Sequence, residues 1–185
     1  MSTEIIVAIV VAVVVVAAIL AFALGRGRRR TKNLKATFGP EYDRVAASGD
    51  SRAAEEQLER RKNRVEQYHL RPLRPEERER FARDWQAEQG RFVDDPRMAV
   101  ANADRLVSDA MTARGYRLPD METRIEDLSV QHPVEVENFR AAHVIAQRDT
   151  SGQASTEDLR QAMKHYRTIF ESLLGQVNQV EEARR

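Results

Sequence analysis

The chain begins with an unbroken apolar run and continues as short amphipathic periods separated by proline, glycine and capping residues. Residues 5–24, from Ile5 through Leu24, contain no charge, no proline and no glycine. A helix of that length reaches about 30 Å at 1.5 Å per residue, the hydrocarbon thickness of a bilayer. A helix of a soluble core would keep a polar stripe, and this run has none. The pattern predicts one N-terminal transmembrane helix. A cleavable signal peptide would need a basic start and a shorter apolar stretch; Met1–Glu4 has no Lys or Arg, so the span is expected to stay.

After the span the pattern is that of an all-α body. Gly39 and Pro40 start a short helix that Ser48 and Gly49 stop, and Asp50 or Ser51 caps a second one to about His69. Arg71, Pro72, Leu73, Arg74 and Pro75 break that helix, because each proline disfavours helix in the residue before it. Pro75 opens a helix to about Phe92, and Asp95 with Pro96 opens one that Gly115 closes. Shorter helices are predicted over Met121–Leu128 and from His132–Pro133 to the polar run at Asp149. Ser155 with Asp158 makes a capping box for a last helix ending near Gly175.

Apolar spacing indicates where these helices pack. Leu159, Ala162, Met163, Tyr166, Ile169, Phe170, Leu173 and Leu174 recur at three- and four-residue steps, which predicts a central helix. From Phe81 to Leu174 there are 27 bulky apolar residues in 94 positions, against eight in the 43 from Phe38 to Arg80. The compact bundle is therefore expected over 81–175, with 36–80 as a short helix plus a charged arm and 176–185 as a polar tail. Within the arm, residues 52–80 hold sixteen charged side chains in 29 positions. Leu58 and Val65 sit seven apart, too thin a stripe for sustained heptads. The arm reads as a solvated stalk, with a weak homodimer through Leu58 and Val65 as the second reading.

Charge changes the picture at the membrane. The chain carries a net charge of +1, yet residues 1–35 hold six basic residues and one acid, which leaves residues 36–185 at −4. The six are Arg26, Arg28, Arg29, Arg30, Lys32 and Lys35, all directly after the span. The positive-inside rule then places the N-terminus outside and the body in the cytoplasm. The same cluster is a candidate for anionic lipid headgroups, since each Lys or Arg near such a leaflet contributes about 1 kcal/mol. An acidic body argues against a nucleic-acid-binding domain.

Candidate chemistry is sparse. Zero cysteine excludes disulfides, thiolate metal sites and cysteine nucleophiles. Glu66 and His69 form one Glu-x-x-His unit; a di-iron bundle needs two, and the second is missing. No phosphate loop, no Gly-x-Ser-x-Gly elbow and no zinc-protease motif occurs, so neither an enzyme nor a cofactor is expected. The adjacent pairs Asp94–Asp95 and Glu126–Asp127 should diverge along a helix or turn. Arginine outnumbers lysine 26 to four. Composition alone explains most of that excess, although arginine forks also suit a protein interface.

The run Phe38, Gly39, Pro40, Glu41, Tyr42, Asp43, Arg44, with Arg71–Leu73, Arg91–Pro96 and Ser155–Arg160, resembles a group of uncharacterised bacterial single-pass membrane-anchored helical proteins. The resemblance implies a bacterial inner-membrane protein and supplies no activity. Tyr42, Arg44 and Arg71 exceed what a helix start requires, which makes them a candidate partner patch. The expected role is that of a membrane-tethered cytoplasmic scaffold with a protein partner; an anionic-lipid or envelope-associated accessory is the alternative.

Overall fold

The computed structural model describes residues 11–15, 28–47 and 49–175. Within them every regular element is helical. Residues 28–38 form α1, followed by α2 (Pro40–Ala46), α3 (Ser51–Glu66), α4 (Pro75–Arg91), α5 (Pro96–Arg114), α6 (Met121–Gln131), α7 (Val136–Thr150) and α8 (Thr156–Gly175). The all-α expectation holds. Among the described residues no helix is long and apolar enough to cross a membrane. Of the predicted span only 11–15 are described, as exposed helix; the rest of it, Arg26 and the tail 176–185 lie outside the described residues.

The helix starts follow the capping residues. Asp50 accepts from the Arg52 amide at 2.8 Å, Asp95 from Met98 at 3.0 Å and Asp120 from Thr123 at 2.8 Å. Ser155 and Asp158 bond each other's backbone N–H in the predicted box. Each such cap contributes about 1 kcal/mol. Three boundaries differ from expectation. α3 stops at Glu66 because His69 takes φ 52, the left-handed region, as the chain turns. α6 runs three residues past Leu128 to Gln131, and α7 starts at Val136 after a turn through Pro133.

The larger core is the bundle of α4, α5, α7 and α8, with α8 pairing most extensively with α5 and α7. Its predicted stripe is buried from Leu159 through Leu173. Tyr166 packs edge-on to Phe139, while Phe170 stacks on Trp85 at 4.7 Å and meets Phe81 edge-on.

The stalk expectation is overturned by a second, smaller core. Leu34 and Phe38 of α1, Tyr42 and Val45 of α2, and Ala54 and Leu58 of α3 pack together, with Val130 of α6 against them. Leu58 is 0% exposed. Val65 is buried as well, so the positions for pairing two arms are covered within the chain. A seven-residue stripe suffices here because its partners come from two other short helices instead of a second copy. The expected boundaries at 35/36 and 80/81 also disappear, since α1 runs through the first and α4 through the second.

Candidate functional site

Where the small core meets the bundle the contact is ionic, and it is organised by Glu41. Pro40 sets the first turn of α2, and Glu41 follows it with its side chain fully buried. Arg44, one turn on, donates from Nε and Nη2 to the two carboxylate oxygens at 2.7 and 2.6 Å. Arg61 of α3 donates at 2.8 Å and Arg140 of α7 at 2.9 Å, both to Oε1. Burial alone would raise this carboxyl. The hydrogen bonds and charges of Arg44, Arg140 and Arg61 outweigh it and hold Glu41 below its usual range.

A second knot lies beside the first. Arg64 of α3 donates to both Glu126 and Asp127 of α6 at 2.8 Å, and the Tyr68 hydroxyl donates to Asp127 at 2.8 Å. Arg61 completes the link through Nη2 to Glu126 at 3.0 Å. The expectation that Glu126 and Asp127 diverge is therefore corrected, because one planar guanidinium spans both carboxylates. Burial pushes Asp127 up, while Glu126, which also starts from a burial penalty, is drawn below its usual value by Arg64, Arg61 and Gln57. Burial and the hydrogen bond to Asp127 push Tyr68 up to about 12.

Between these helices is an open cleft of about 520 Å³, lined in part by Arg44, Gln57, Arg61, Glu126, Arg140 and His143. Its guanidiniums are already committed to carboxylates, and burial holds His143 below its ordinary value. Guanidiniums do not act as bases, and Glu41 stays ionised. The arrangement joins helices, and among the described residues no cluster with metal-ligand spacing forms.

The predicted site residues separate into distinct environments. Tyr42 is 5% exposed and belongs to the small core, its hydroxyl donating to Glu55 at 3.0 Å. It is thus no part of an outer patch; its ring is needed to close the core between α1 and α3. Arg44 is exposed, with its guanidinium fixed on Glu41. Arg71 lies apart in the α3–α4 loop, where it forks onto Glu77 at 2.8 and 2.9 Å. These three residues share no partner, so the patch does not assemble as one surface. Arg61, Arg64, Glu126, Asp127 and Arg140 were not among the sequence-predicted site residues. Their sequence signals are that Glu126 and Asp127 form an adjacent carboxylate pair and that Arg61 stands three residues after Leu58, on the same side of α3.

The basic cluster is better organised. Helical spacing puts Arg28, Arg29, Lys32 and Lys35 within an arc of about 120° on α1, and all four are exposed. The opposite face carries Leu34 and Phe38 into the core, and Arg30 reaches Glu59 at 2.7 Å. Thr31 adds a hydrogen bond to Glu55 at 2.6 Å. Comparison of the chain with protein-family models, curated proteins and solved structures finds no match.

Proposed function

We propose that this chain is a single-pass protein of a bacterial inner membrane, N-terminus outside, whose helical body holds a partner protein at the cytoplasmic face. The observation that carries the reading is α1. Its buried face is fixed in the small core by Leu34 and Phe38, its outer face is cationic, and Leu34 follows the apolar run by only ten residues. A helix with those two faces leaves little slack between the bilayer and the body. Tethering of that kind raises the local concentration of whatever the body binds, so weak contacts suffice.

The exposed arc of Arg28, Arg29, Lys32 and Lys35 also favours a second reading, in which the protein collects anionic lipid. Alkaline extraction of membranes containing the full chain tests the anchor: it should remain in the pellet, and full release would overturn the reading. Orientation is checked with a cysteine placed after Ser155. Labelling by an impermeant reagent only after lysis supports the cytoplasmic body, and labelling in intact cells contradicts it. Reconstitution in anionic and neutral lipid discs separates the readings, since salt-sensitive enrichment of anionic lipid belongs to the second alone.

A further inference from the structure

The side of the bundle formed by α4 and α8 carries a groove that the ionic joint does not use. Two adjoining cavities, of about 320 and 170 Å³, share Trp85, Gln89 and Arg167. Phe170 and Leu174 continue the apolar floor on one side of Trp85, and Phe92 and Met163 on the other. The rim has the opposite character. Arg78, Arg160, Lys164 and Arg167 line it, with Glu171 as the one acid, a surplus of +3 on a body whose net charge is −4. Arg160 and Arg167 pair with Glu157 and Glu171 on the same helix, contacts of small energetic weight that a ligand carboxylate can replace.

Trp85 is 6% exposed and forms the wall that the two cavities share. From Arg160 to Leu174 the groove follows α8 for about 21 Å at 1.5 Å per residue, the length of four helical turns. An apolar trough of that length with a cationic rim fits an amphipathic helix laid between two others.

We propose that the α4–α8 groove is the docking site for an acidic amphipathic helix of a partner protein. Apolar side chains at three- and four-residue spacing would cover Phe92 and Leu174 on either side of Trp85, and the flanking carboxylates would meet Lys164 and Arg167. The proposal rests on the reading of the chain as an interaction protein. It is tested independently of the membrane, with the full chain in detergent micelles.

The probe is a synthetic 16-residue helical peptide with a leucine stripe, glutamate on both flanks and no tryptophan. Trp85 is the sole tryptophan of the chain, so its emission reports occupancy directly. The expected result is a saturable change in that emission, weakened by salt. The variant Lys164→Glu with Arg167→Glu should bind about tenfold more weakly, with unchanged helical circular dichroism. No saturable change would overturn the proposal. So would equal binding of a lysine-flanked peptide, or an unchanged affinity in the charge-reversed variant. Deletion of residues 176–185 is the remaining control. If it alone shifts the tryptophan emission and exposes the groove, the occupant is the chain's own tail and the partner assignment falls. A concentration-dependent shift without peptide would assign the groove to a second copy and overturn it likewise. Alkaline extraction and cysteine labelling remain separate readouts, so a failed anchor and a failed groove are told apart.

Discussion

Arg140 on α7 donates to Glu41 on α2 over 2.9 Å, a contact between positions 99 apart in the chain. It fastens α2, and with it the small core, to the bundle, and it does so through a carboxylate that also holds Arg44 and Arg61. Removing the carboxylate leaves guanidiniums without their anion, whereas removing one arginine leaves two in place. Glu41→Gln should therefore cost about 3 kcal/mol in chemical denaturation, since its NH2 group faces donors. Arg140→Met should cost about 1 kcal/mol. Equal losses in the two variants would mean that Arg140 alone secures the joint.

Leu58 distinguishes a free arm from a docked one. On a solvated stalk Leu58→Ala would change stability by less than about 0.5 kcal/mol. Here Leu58 is fully buried against α1 and α2, so truncation should cost about 2–4 kcal/mol. A thermal melt of the variant that matches the parent would restore the stalk.

The main bundle was legible because its stripes are long. Eight apolar positions of α8 repeat at the helical period, and Asp50, Asp95 and Ser155 mark helix starts by local chemistry alone. The small core was not legible, since each of its helices supplies only two buried bulky residues or fewer and the rest come from other segments. Arg61 shows the limit most clearly. A buried arginine requires partner carboxylates, and those partners, Glu41 and Glu126, stand 20 and 65 positions away. No spacing rule connects them. The site was obscured for the same reason: Tyr42 and Arg44 stand two residues apart, yet one faces a core and the other a carboxylate.

Two glycines should respond to alanine with opposite signs. Gly115 closes α5 at φ 101, with the backbone of Tyr68 and His69 close by. A Cβ there would meet the Tyr68 carbonyl at 3.5 Å, an ordinary contact. The cost of Gly115→Ala is thus conformational, about 1–2 kcal/mol. Gly90 lies within α4 with open space around its Cβ position. Gly90→Ala should raise stability by about 0.5–1 kcal/mol. Denaturation midpoints that move in the same direction for both variants would contradict this account.

His132 should make folding pH-dependent well above the carboxylate range. It is 1% exposed at the end of α6, with Nε2 at 3.2 Å from Arg114 Nη1 and Nδ1 at 2.8 Å from Ser172 Oγ. Arginine can only donate, so Nε2 must accept, and the ring proton sits on Nδ1 and is donated to Ser172. Burial and the charge of Arg114 lower its pKa from 6.5 to about 3. Between those values the unfolded chain binds a proton that the folded chain refuses. The contribution to stability is therefore complete above the unfolded value and declines as pH falls towards the folded one. From pH 7 to pH 5 the loss is about 2 kcal/mol, and it depends little on the folded value because pH 5 is well above it. Other groups titrate in the same interval, so the informative quantity is the difference in unfolding free energy, from urea titration, between the parent and His132→Gln at each pH. That difference should narrow by about 2 kcal/mol between pH 7 and pH 5. A pH-independent difference would show that the imidazole accepts a proton in the folded state, and the tautomer assigned from Arg114 would be wrong.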